Sequence, residues 1–171
     1  MTITIRRSVP EDRDAIYALH GAAFPSLAEA RLVVALEEDA DALLSLVAES
    51  AGEIIGHVLF SRMTATAGAR TLSAAALAPV AVEASRRYRG IGSALIDAGV
   101  GMLGEEGVDY VFVVGDPDYY ERFGFDPAVG ARFTSPYSGP AWMGLALGEA
   151  PHPKRAEARH ARAFATLGAS A

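Results

Sequence analysis

Apolar and polar positions alternate in "TITIRR" near the start of the chain, which predicts a strand. The following "SVPEDRDAIYALHGAAF" changes to helical spacing, with Ser8 or a nearby acidic residue placed to cap the helix and Pro10 placed to open it. A second helix is predicted over "LAEARLVVALEEDAD", where Leu27, Ala30, Val34 and Leu36 fall near one stripe and acidic residues gather at the end. The β-rich runs "ALLSLVAES" and "EIIGHVLFSRM" flank Ala51 and Gly52, the pattern of a hairpin. Next, "TATAGAR" reads as a loop. "TLSAAALAPVAV" reads as a long strand in which Pro79 argues for a bulge or an interrupted ladder.

From there Ile91, Leu95, Ala98 and Met102 recur at helical spacing until Gly104 and Gly107 end the helix. "VDYVFVV" is then a buried strand. Strand, glycine-containing turn, helix and strand together make a crossover unit that lays two strands side by side in parallel. "GDPDYYERFGF" leaves room for only a short helix, and "ARFTSPYSG" and "WMGLALGEA" are later strand candidates. The segment "HPKRAEARHARAFATL" reads as a terminal helix or tail. The pattern predicts one α/β domain over residues 1–150, followed by a C-terminal helix or tail over 151–171.

Composition narrows the classes. With 171 residues, 51% of them hydrophobic, the chain can bury one sizeable core. A net charge of −6 supplies no basic field for nucleic acid. No run reaches the ~18 apolar residues of a membrane span, and "MTITIRRSVPEDRD" lacks the apolar core of a signal peptide, so a cytoplasmic protein without a membrane partner is expected. The absence of cysteine excludes disulfides, thiolate metal sites and a cysteine nucleophile, and no metal is expected. The commonness of symmetric dimers leaves a homodimer open.

The segment "SRRYRGIGSALIDAG" carries the most chemistry. Arg87 to Gly92 lie between a strand and a helix, where the first helical amides lack internal partners and carry the positive end of the dipole. Gly90 and Gly92 remove side chains that would keep an anion from those amides, and Arg86, Arg87 and Arg89 add charge. The ligand predicted there carries a diphosphate. The spacing is neither GxxxxGK[ST] nor GxGxxG, which disfavours a nucleoside triphosphate or a dinucleotide module.

Arg87-Tyr88-Arg89-Gly90-Ile91-Gly92 instead resembles the [Q/R]-x-x-G-x-[G/A] signature of the GNAT N-acetyltransferases. "LAPVAVEASRRYRGIGSALI" is similar to that family's fourth strand, pyrophosphate loop and third helix, and "YYERFGF" to its YxxxGF element after the fifth strand. "GHVLFS" and "GDPDYYERFGF" look most like the bacterial YhbS-like branch. The resemblance implies the GNAT fold: a mixed, mostly antiparallel central sheet, splayed between strands 4 and 5 and flanked by helices. It also implies acetyl-CoA as cosubstrate and direct attack by a primary amine in a ternary complex.

On that resemblance, Val80, Ala81 and Val82 pair through their backbone with the pantetheine arm, and the diphosphate sits on Tyr88, Arg89, Gly90, Ile91, Gly92 and Ser93, with Arg87 at the [Q/R] position. Tyr120 stands at the tyrosine of YxxxGF as general acid, in preference to Tyr119, because adjacent helical residues point about 100° apart. Glu83 is the candidate base, with His57 as a second, and Asp116 is read as a helix cap. Phe24, Pro25, Tyr137 and Trp142 are candidate lining residues for the acceptor, and Lys154, Arg155, Arg159 and Arg162 read as a solvated basic face. A noncatalytic acyl-CoA-binding or regulatory domain is the alternative function.

Overall fold

In the computed structural model, which describes residues 2–168, the N-terminal alternation forms β1 (Thr4–Arg7), and helical spacing yields α1 (Arg13–Ala23) and α2 (Ala28–Glu38). The chain continues through β2 (Ala42–Ser50), β3 (Glu53–Ala67), β4 (Arg70–Val82), α3 (Ile91–Glu105) and β5 (Tyr110–Val114). It ends with α4 (Pro117–Tyr120), α5 (Pro127–Gly130), β6 (Phe133–Thr134), β7 (Trp142–Ala146), β8 (Ala156–Arg159) and α6 (Phe164–Gly168). The strands form one mixed sheet of order β1-β2-β3-β4-β5-β7, with β8 pairing both β3 and β6. β1 with β2, β3 with β8 and β5 with β7 are antiparallel, while β4 with β5 and β6 with β8 are parallel.

The chain divides into two compact units, one of Met1–Phe60, Ala78–Gly99 and Arg162–Ala171 and the other of Ser61–Leu77 and Val100–Ala161. In the first, Ala51 and Gly52 both take left-handed backbone angles, φ 50° and 79°, as a two-residue turn between twisted strands requires. β3 then offers opposite faces to different helices. Gly56 and Phe60 face α3, and Gly99 on that helix leaves room for the Phe60 ring, since a Cβ there would stand 2.2 Å from its Cε2. His57 points the other way, to His20 of α1, as strand alternation demands. Asp12 does the acidic residue's part in starting the helical region by accepting the Val9 N–H at 2.8 Å, whereas Ser8 turns its hydroxyl to Ser45.

The second unit is built on aromatic packing. Phe112 stacks on Trp142 with ring centroids 4.8 Å apart, and Phe133 packs against Phe112 and Tyr110 at 4.8 Å each. The indole N–H of Trp142 donates to both Gly130 O and Phe133 O, at 2.9 and 3.0 Å, and the Tyr110 hydroxyl donates to Pro151 O.

Several sequence expectations are corrected. "TATAGAR" is not a loop: β3 runs to Ala67, where Thr64, Ala65 and Thr66 pair with Arg159, Ala158 and Glu157, and only Gly68 and Ala69 turn. β4 continues as a strand through Pro79, with a cis Ala78–Pro79 bond, while its ladder with β5 ends at Ala76, in line with the expected interruption. The buried stripe of α2 is Ala30, Leu32, Val33 and Leu36, while Leu27 and Val34 are exposed. Residues 156–159 are strand β8 rather than helix, held by partners distant in sequence; residues 169–171 of the expected tail lie outside the described residues.

Replacing Gly99 by Ala forces the Phe60 ring out of its place against α3. The expected loss is about 1–3 kcal/mol of unfolding free energy in denaturant titration, as for other overpacked cores. An unchanged midpoint would show that the ring yields freely.

Candidate active site

Toward the end of β4 its pairing with β5 stops. Ala74, Ala75 and Ala76 lie opposite Tyr110, Val111 and Phe112 in the parallel ladder, and β4 then runs on to Val82. Glu83 N–H donates to Ile55 O at 2.9 Å, so the end of β4 is fixed to β3. Val80 and Val82 are half-buried and Ala81 is buried.

A short 3-10 turn at Ala84–Arg86 comes next, and Arg87 Nε donates back to Val82 O at 3.2 Å. Tyr88 and Gly90 take left-handed angles, φ 65° and 80°. For the tyrosine this costs on the order of 1–2 kcal/mol. The first amide of this region to bond back into α3 is Ala94 N–H, to Gly90 O at 3.0 Å, so the N–H groups of Ile91 and Gly92 open the helix ahead of its ladder. A Cβ built on Gly90 would meet nothing within 4 Å. Arg87, Tyr88, Arg89 and Gly90 are exposed, Gly92 and Ser93 half-buried, and Ile91 anchors the helix start in the core. The loop therefore has the form of an anion cradle.

Beside the end of β4 lies a cleft of about 870 Å³. One wall is the small-residue face of α1, with Ala15, Ala18 and Ala22; the hairpin tip at Gly52–Ile54 and the segment from Val82 to Ser85 form the others. Glu11, Asp12, Glu53 and Glu83 reach it, against Arg6 and Arg87. Glu83 is exposed, and one of its carboxylate oxygens takes a 3.1 Å hydrogen bond from Arg86. Asp12 is buried beneath the cleft and gripped by Arg6 at 2.8 and 3.0 Å, with Arg6 also donating to Glu49 at 2.8 Å. The Arg6 hydrogen bonds hold the Asp12 carboxyl below the usual carboxylate range. Sequence reasoning missed this pair and the α1 wall; the spacing of Ala15, Ala18 and Ala22 was the one local signal for the wall.

Other candidates have structural roles. His57 is sealed between His20 and Ser45, 2.8 Å from each, and burial pushes it down to about 3; it is a neutral core histidine and not a base. Asp116 caps α4, its Oδ1 accepting from Asp118 N–H at 3.0 Å. Trp142 belongs to the aromatic core; Phe24 stacks on His20 and Tyr137 packs on His160. Arg162 is engaged by Asp39 at 2.7 and 3.0 Å.

Tyr120 lies in the other unit. Its ring packs edge-on to Phe125 at 5.9 Å and to Tyr119 at 4.9 Å. Gly115 makes that placement possible, because a Cβ there would fall 2.4 Å from the Tyr120 Cε2. Burial pushes the Tyr120 hydroxyl up to about 12, so it holds its proton at neutral pH. Tyr119 differs, its ring carrying the Arg122 guanidinium 4.6 Å from its centroid.

A family model described as an acetyltransferase (GNAT) domain matches residues 4–128. The chain belongs to the GNAT acetyltransferase family. It is 39% identical over 125 residues to the uncharacterized N-acetyltransferase YhbS of Escherichia coli K12, covering 72% of this chain and 74% of that protein. The crystal structure of E. coli YhbS in complex with CoA superposes with a TM-score of 0.85 at 31% identity, over 95% of this chain and 92% of that one. A GNAT acetyltransferase from Brucella melitensis in complex with acetyl-CoA gives 0.79 at 30% identity, over 95% and 98%. Among the described residues no helix is long and apolar enough to cross a membrane.

Since its folded-state pKa is lowered, Asp12 adds stability that is present above the ordinary carboxylate value of 3.8 and is lost as pH falls through the lower, folded value. Asp12→Asn is expected to cost roughly 1–3 kcal/mol at pH 7. It should also flatten the loss of stability on acidification below pH 3.8, measured by denaturant titration across pH. Parallel wild-type and variant profiles would contradict this role.

Proposed function

We propose that the protein transfers the acetyl group of acetyl-CoA to a primary amine by direct attack, with the diphosphate of the donor on the turn before α3. The observation that carries the reading is the continuity of β4 past its ladder into the Gly90 loop. The stretch Val80–Val82 supplies backbone groups for an amide-rich arm, and the amides of Tyr88 to Ser93 come directly after it. Arg87 and Arg89 add positive charge at the diphosphate. The two GNAT relatives whose structures contain CoA and acetyl-CoA support the same donor.

The acceptor enters as a cation along the cleft beside Glu83, whose carboxylates outnumber its arginines. Glu83 takes a proton from the ammonium, directly or through water, and the neutral amine attacks the thioester carbon. As the C–N bond forms the C–S bond breaks, the departing thiolate takes the hydroxyl proton of Tyr120, and the proton that the nitrogen sheds on becoming an amide returns to the phenolate through water. That hydroxyl carries its proton at neutral pH, and the upward push of burial makes it a weaker acid. No covalent enzyme intermediate is needed, in keeping with a chain that has no cysteine.

The test is acetyl-CoA binding by calorimetry together with CoA release in the presence of a panel of primary amines. Gly90→Glu meets no neighbouring atom but takes on a left-handed backbone at a cost of about 1–2 kcal/mol, so the domain should fold, somewhat destabilised, while acetyl-CoA binding is lost. Tyr120→Phe should bind acetyl-CoA as the wild type does and turn over ~100-fold more slowly. Normal binding by the Gly90 variant would remove the diphosphate from this turn, and an unchanged rate for the Tyr120 variant would leave that residue a packing role.

A further inference from the structure

Tyr88 is a large aromatic side chain that is fully exposed, and its backbone is left-handed at φ 65°. Among the described residues nothing bonds to or stacks on its ring, so the folded protein alone gives no reason for an aromatic there. Its neighbours fix its position. Arg87 is tied to Val82 O at 3.2 Å, and Gly90 O accepts from Ala94 N–H at the start of the helix, so the fully exposed Tyr88 stands on the outer rim of the cradle.

Resting on the reading that this cradle takes the diphosphate of acetyl-CoA, the direction of the donor is set by its chemistry. The pantetheine arm leaves the diphosphate along Val80–Val82, and the adenosine leaves it on the other side, outward over the loop. The geometry points to Tyr88 as a stacking platform for the adenine ring, a residue that distinguishes the complete coenzyme from donors lacking the nucleoside. A planar, exposed phenol offers its face to a base at no cost in buried polar groups, and Arg89 adjoins it as a cation near the ribose phosphate. The phenolic hydroxyl has no part in this, so phenylalanine or tryptophan should serve as well.

The experiment compares calorimetric affinities for CoA and for 4′-phosphopantetheine, which ends before the nucleoside, in the wild type, Tyr88→Ala and Tyr88→Trp. Loss of one base-stacking contact predicts CoA binding weaker by roughly 5- to 150-fold in Tyr88→Ala, with 4′-phosphopantetheine binding unchanged. Tyr88→Trp should restore the CoA affinity. Equal CoA affinity in the wild type and Tyr88→Ala overturns the inference, as does an equal weakening of both ligands, which would make Tyr88 a shaper of the loop. A wild type that binds neither ligand would refute the cradle reading itself, an outcome distinct from these.

Discussion

The hydrogen bond from Glu83 N–H to Ile55 O, at 2.9 Å, fixes where β4 ends, and the loop depends on that end. Because the strand is held to β3 there after leaving β5, its last residues keep an extended backbone with pairing capacity to spare. The chain can then turn only through Ala84–Arg86, and the Arg87 hydrogen bond to Val82 O closes the turn on itself. The turn delivers the chain to a helix start stripped of side chains at Gly90 and Gly92. An anion is attracted there by amides and dipole together, whatever the wider charge of the protein. A net charge of −6 is thus no obstacle to an anionic cosubstrate, since the field that matters is local.

The rest of the first unit serves to hold that strand. Gly56 and Gly99 let α3 approach β3 closely, which sets the height of the helix start against the strand end. On the opposite face the Ser8, Ser45, His57 and His20 side chains form a hydrogen-bonded file into the core. Both histidines are pushed down by burial, to about 3 and about 4, so the file is neutral and rigid across the physiological range. The acidic groups of the cleft are a separate matter: Asp12 is fully committed to Arg6 and Val9, leaving Glu11, Glu53 and Glu83 as the carboxylates open to an incoming cation.

The crossover from β4 through the loop to α3 and β5 was legible in the sequence because each signal is local: a β-rich run, glycines at a helix start, and a 3.6-residue stripe beginning at Ile91. Tyr120 was legible through its spacing to Gly124 and Phe125, but the need for glycine at 115 was not, since it arises from a ring folding back over the chain. The pairing of Thr64–Thr66 with β8 left no local trace, and "AEAR" has helical propensity that non-local pairing overrides. Trp142 has the character of a pocket aromatic in one dimension, yet two carbonyls satisfy its indole N–H inside a core, and only tertiary structure supplies them.

The most direct test of the cradle is a two-dimensional amide NMR titration of the intact protein with acetyl-CoA. If the donor lies along β4 with its diphosphate on the start of α3, the largest shifts fall on the amides of Ala81 and Val82 and of Tyr88 to Ser93, while β8 stays still. Shifts centred elsewhere, with Gly90, Ile91 and Gly92 unmoved at saturation, would contradict the site.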